Sequence, residues 1–147
     1  LDSGKVAAYI TDFPNAELVK HDKVIPIPHL GASTEESEDN CAVKAVREIS
    51  DYLKHGNIKN SVNMPSATLD ENPDCAARVG ILHKNVPKMI SKISDAFSKN
   101  DINIENMVNK SRKETAYTLM DLVQEPSQEI LDELQSIDDI IRVIRFK

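Results

Sequence analysis

Two sets of side chains in this sequence have the types and spacing to do chemistry. The first centres on His29, inside IPIPHLGASTEESEDN (Ile25 to Asn40). An apolar run ends at Pro28, the imidazole follows, and then come Gly31, Ala32 and an acidic helix start. Imidazole is the side chain that gives and takes a proton near neutral pH, so His29 reads as a general acid or base. It also reads as a structural histidine, hydrogen-bonded near a helix start. Three features favour the first reading. His29 ends a strand of an expected parallel sheet, where α/β ligand sites collect. Gly31 and Ala32 leave room for a ligand. A helix N-terminus, which favours anions, lies just ahead. The second set is His83, Asn85 and Asn103. By themselves these are a strand-end histidine and two turn-formers.

The elements that must position His29 are two strands and a helix. Val6 to Ile10 (VAAYI) reads as a strand buried on both faces, ended by Thr11 to Pro14. Val24 to Ile27 (VIPI) reads as a second strand, and Pro26, which cannot donate to a ladder, marks a strand end or an edge. Ser33 and Thr34 offer an N-cap, with Glu36 as the capping-box partner of Ser33. Ala42, Val43, Val46, Ile49 and Leu53 then recur at helical spacing up to about His55, and Gly56 suits the C′ position. Two strands and one helix build no core alone, so residues 1–64 read as the end of a larger α/β domain, and the chain as a fragment.

Residues 65–77, with Pro65 and Pro73 and no period, read as a linker. Residues 78–147 read as βαββαβ, a ferredoxin-like split βαβ. Arg78 to His83 is the first strand, and Pro87 opens a helix carrying Met89, Ile90, Ile93 and Phe97 on one face. Ile102 to Lys110 and Glu114 to Val123 form a strand pair. Pro126 opens a helix with Ile130, Leu131 and Leu134, and Asp139 to Phe146 is the last strand.

Composition narrows the function classes. The chain has 147 residues, 29% of them charged, with a net charge of -6 and no basic run, which argues against nucleic acid and anionic membranes as partners. No apolar segment approaches the roughly 20 residues a membrane helix needs. Cys41 and Cys75 lack metal-ligand spacing and read as reduced thiols of a cytoplasmic protein. With no Trp and 4% aromatics, the core has to be aliphatic.

PHLGAST, Pro28 to Thr34, resembles the catalytic-histidine motif of the NAD-dependent D-2-hydroxyacid dehydrogenases. GKVAAYITDFP lies upstream, where that family has a strand and a Phe-Pro-like turn. SVNMP lies downstream, where the catalytic part ends. RVGILHKNVPKMISKISDAFSKNDINIENM, from Arg78 to Met107, is similar to an ACT domain, a small-molecule sensing module. This order points to the branch that oxidises 3-phosphoglycerate to 3-phosphohydroxypyruvate, at the start of L-serine biosynthesis.

The resemblance implies a dinucleotide-binding domain that ends near His29, a long helix crossing back to the substrate domain, and an ACT domain. It implies NAD as cofactor, with His29 as the general acid/base and Asp12, His29 and Gly31 near the cofactor. The family's partner glutamate falls on Ala16, with Glu17 one residue later; its aspartate falls on Thr11, with Asp12 one residue later. Glu17 and Asp12 each also read as solvated loop carboxylates. Neither the phosphate-binding glycine loop nor the substrate arginine occurs in this chain, so the chain alone is expected to be inactive. The resemblance further implies that His83, Asn85 and Asn103 bind L-serine across an ACT–ACT contact in a homo-oligomer. The family's Asn-x-Pro-Gly loop here ends in Lys88. The competing reading is a stand-alone amino-acid-binding or dimerisation module.

Overall fold

The computed structural model describes residues 1–146. It divides into two compact units, Leu1–Lys44 and Ala45–Lys147, with the boundary inside one helix.

In the first unit, β1 (Tyr9–Thr11) and β2 (Val24–Pro26) pair in parallel, with Tyr9 opposite Val24 and Thr11 opposite Pro26. A 3-10 turn at Leu18–Lys20 connects them, and Asn15 Oδ1 accepts from the Leu18 amide at 2.8 Å. The first strand was expected at Val6 to Ile10 and buried on both faces. Instead it is three residues long, and Ile10 is 63% exposed. A pair of three-residue strands has no face broad enough to bury its own side chains. Only Val24 is buried in this unit.

Helix α1 (Glu35–His55) starts where the cap residues place it. Thr34, rather than Ser33, does the capping: its Oγ1 accepts from the Ser37 amide at 3.2 Å. Glu35, Glu36 and Glu38 load the first turn, which suits the helix dipole. Gly56 ends the helix at φ 73°, the left-handed C′ conformation. No residue of α1 is buried, so Val43, Val46, Ile49 and Leu53, which recur at helical spacing, lie exposed.

The second unit has the expected element order. The strands β3 (Ala77–Lys84), β4 (Ile104–Arg112), β5 (Thr115–Leu122) and β6 (Ile140–Arg145) form one antiparallel sheet in the order β4-β5-β3-β6. Helices α2 (Met89–Ser98) and α3 (Gln128–Ser136) complete the βαββαβ order, so the unit is ferredoxin-like. Ser127 caps α3, its side chain accepting from the Ile130 amide, so Pro126 stands ahead of the cap. Likewise Pro87 precedes the N-cap of α2, which is Lys88.

Alternation along the central strands builds two cores. Ala77, Val79 and Ile81 of β3 and Met120 and Leu122 of β5 pack with Ile93, Phe97 and Leu134 of the helices. Tyr117 and Leu119, pointing the other way, pack with Ile58 and Ala67. The stretch 65–77, expected as a linker, is therefore part of this second core. Ile58 and Ala67 exchange backbone hydrogen bonds at 2.8 and 3.0 Å, and Ala67 and Cys75 are buried.

Arg78 fastens this segment down. All five guanidinium N–H groups have acceptors: Nε and Nη2 on the Asp121 carboxylate at 2.6 and 2.9 Å, Nη1 on the carbonyls of His55 and Leu69, and Nη2 also on that of Asp70. Arg78 is 4% exposed and Asp121 fully buried. The hydrogen bonds that Arg78 donates to Asp121 raise its pKa against the opposing effect of burial.

Candidate functional site

His29 follows β2, and the residues placed around it come from the end of β1. His29 Nδ1 lies 2.8 Å from Asp12 Oδ2. The Phe13 ring meets the imidazole edge-on at 4.6 Å. Backbone pairing explains the meeting: Thr11 and Pro26 are in register, and the Ile27 amide donates to the Thr11 carbonyl at 3.0 Å. The residues after each strand are thereby brought side by side. Asp12 held on Nδ1 fixes the ring's orientation and leaves Nε2 to face a ligand, the arrangement a general acid/base needs. Both side chains are open to solvent, at 59% for His29 and 49% for Asp12.

Glu17 is exposed on the 3-10 turn, where its backbone serves as the N-cap, and its side chain has no hydrogen bond or ion pair among the described residues. The carboxylate next to His29 is thus Asp12, not Glu17. A Cβ at Gly31 would touch nothing within 4 Å, so the chain two residues after His29 is open to solvent. The residues present do not amount to a dinucleotide site. Its diphosphate needs a glycine-rich turn at a helix N-terminus, and of the four glycines here two, Gly56 and Gly80, are packed against Phe146.

The second predicted cluster is only partly assembled. His83, 2% exposed, is the penultimate residue of β3 and lies on the helix-covered face. Its Nδ1 lies 2.8 Å from the Lys84 carbonyl and its Nε2 2.9 Å from Thr118 Oγ1. Thr118 in turn donates to Asn109 Oδ1 at 2.8 Å. Thr118 and Asn109, which face each other across β4 and β5, were not among the predicted site residues. The signal available was a threonine at an inward position between Ala116 and Met120, where the alternation calls for an apolar residue.

Asn85 sits in the exposed loop after β3. It holds the β4–β5 turn, its amide nitrogen donating to the Glu114 carbonyl and Nδ2 to that of Lys113. Asn103 is at the opposite end of β4, where its carbonyl accepts from the Val123 amide. A nine-residue strand spans about 30 Å, so one chain does not bring Asn103 to His83 and Asn85.

Lys88 occupies the left-handed region at φ 70°. The backbone keeps the conformation that a glycine adopts freely, although a lysine stands there.

No family model matches the chain. D-3-phosphoglycerate dehydrogenase 2 of Saccharomyces cerevisiae is 34% identical over 120 residues, 80% of this chain and 25% of that protein. The D-3-phosphoglycerate dehydrogenase of Haemophilus influenzae is 28% identical over 125 residues, 85% of this chain and 30% of that protein. The chain thus spans a quarter to a third of the length of the curated relatives it matches. A match of 120 residues fits in neither compact unit alone, so it includes residues of both. Among solved structures, the ACT domain of GTP pyrophosphokinase from Chlorobium tepidum is 19% identical at a TM-score of 0.42, covering 47% of this chain and 94% of that one. The regulatory subunit of aspartate kinase from Thermus thermophilus is 17% identical at a TM-score of 0.43, covering 54% and 56%. The chain is homologous to the D-3-phosphoglycerate dehydrogenases over about 80% of its length.

Proposed function

We propose that this chain is part of an NAD-dependent D-3-phosphoglycerate dehydrogenase that oxidises 3-phosphoglycerate to 3-phosphohydroxypyruvate. Residues 1–64 belong to its catalytic part and 78–147 form an ACT regulatory domain. The observation that carries this reading is the match to the yeast dehydrogenase, which includes residues of both units. When bound, NAD would supply the hydride acceptor. His29 takes the proton of the substrate hydroxyl on Nε2, while Asp12 keeps the ring oriented through Nδ1. Gly31 leaves the approach to the imidazole clear. Asp12 takes over the orienting role first given to Glu17.

The ACT half senses L-serine and dimerises. Its effector pocket combines His83 and Asn85 of one chain with Asn103 of a second copy, since a single chain holds these residues at opposite ends of the sheet. Both ring nitrogens of His83 already have partners, so serine binding displaces or re-orients one of those hydrogen bonds. The test is a spectrophotometric assay of the intact protein for NADH formation. Oxidation that requires 3-phosphoglycerate supports the reading, and turnover of other 2-hydroxyacids in its place overturns it.

A further inference from the structure

The face of the four-stranded sheet turned away from α2 and α3 carries a hollow of about 770 Å³. Its floor is Leu82, Ile144 and Phe146, one wall is Ile49 and Leu53 of α1, and the other begins at Ile58. The exposed surface inside is predominantly apolar. A volume of this order suits a small molecule: ligand cavities run about 300–1,000 Å³, with apolar walls and a few polar groups that set orientation.

Charge singles out one residue at its mouth. Of the three cations in the lining, Lys59 is paired with Asp51 and Arg145 with Glu125. The one carboxylate, Glu48, accepts from Asn60 Nδ2 at 2.6 Å. Arg142 is exposed, and its side chain has no hydrogen-bond or ion-pair partner among the described residues. It stands directly opposite Leu82 in the sheet register, so its stem rises from the floor of the hollow. An unspent guanidinium above an apolar basin, in a chain of net charge -6, is complementary to one kind of small ligand.

We propose that this hollow binds a small apolar anion, with a ring or branched chain against Leu82, Ile144 and Phe146 and one carboxylate or sulfonate on Arg142. The site is separate from His29 and from the proposed serine pocket, and it does not depend on the dehydrogenase reading.

The test titrates 8-anilinonaphthalene-1-sulfonate into the intact protein, followed by fluorescence and by amide NMR shifts. Saturable one-to-one binding with shifts at Ile49, Ile58, Leu82 and Ile144 is expected. Arg142→Gln, an exposed change that leaves the fold intact, should weaken it about tenfold. Uncharged N-phenyl-1-naphthylamine should bind wild type and Arg142→Gln alike. Binding that does not saturate, shifts spread over the α2–α3 face, or equal sulfonate affinity in Arg142→Gln would each overturn the proposal.

Discussion

His29 Nδ1 lies 2.8 Å from Asp12 Oδ2, and Glu17, five residues after Asp12, touches neither. This relation assigns different fates to the two carboxylates. In the intact enzyme, Asp12→Asn should lower kcat by about ten- to a hundredfold, because the ring loses its anionic partner but keeps a hydrogen-bonding one. Glu17→Gln should stay within a factor of about two. Steady-state kinetics on the two variants checks this, and a larger loss in Glu17→Gln would count against the pairing seen here.

The Arg78–Asp121 pair is buried, and breaking it from one side leaves a charge with no compensation. Asp121→Asn should destabilise the chain by about 3–5 kcal/mol. Urea unfolding reads the difference. A change below about 1 kcal/mol, the usual worth of an exposed pair, would mean that Arg78 does not hold the chain at Leu69 and Asp70 as described.

Lys88 carries a left-handed backbone that glycine adopts without strain. Lys88→Gly should therefore stabilise the fold by about 0.5–1 kcal/mol. Thermal unfolding should show a higher Tm, and a lower one would contradict the strain.

Thr118 fills an inward position only by bonding His83 on one side and Asn109 on the other. Thr118→Val leaves a buried ring nitrogen without its partner and should cost about 1–3 kcal/mol. The same variant should alter L-serine affinity if His83 belongs to the effector pocket. Calorimetric titration of L-serine should show binding by the wild type, a loss of tenfold or more in His83→Ala, and no weakening in Lys88→Gly. Absence of heat in all three would remove serine as the effector.

Asp51 supplies a pH dependence. Burial acts to raise its pKa, but hydrogen bonds from Lys59 and Asn57 and the charges of Lys59 and His55 outweigh burial and hold it below the ordinary value of 3.8. A carboxylate depressed in the folded state stabilises fully above its unfolded pKa, and that contribution fades as the pH falls through the lowered native value. Asp51→Asn should therefore flatten the stability profile on the acid side and leave its slope near neutrality unchanged. Urea midpoints measured from about pH 2 to pH 7 give the comparison.

What the sequence disclosed follows from the range of the forces involved. The βαββαβ half was legible because Val79, Ile81, Met120 and Leu122 alternate and Ile93, Phe97 and Leu134 fall on helical faces, both short-range patterns. The end of α1 at Gly56 was legible for the same reason. Arg78 and Asp121 lie 43 residues apart, and no local pattern joins them. Residues 65–77 looked like a linker because Pro65 and Pro73 break any period, yet Ala67 reaches the second core through a single bridge to Ile58. In the site, the type and place of His29 were readable, but its carboxylate partner depended on strand register, which the short strands around it leave open to a one-residue choice.

The most direct test is turnover by the intact protein carrying His29→Ala, with NAD binding followed in parallel by equilibrium titration. The expected result is a fall in kcat for 3-phosphoglycerate oxidation of about a hundred- to ten-thousandfold with NAD affinity nearly unchanged. Wild-type turnover in His29→Ala would contradict the assignment of this histidine as the acid/base, and with it the catalytic reading of the first unit.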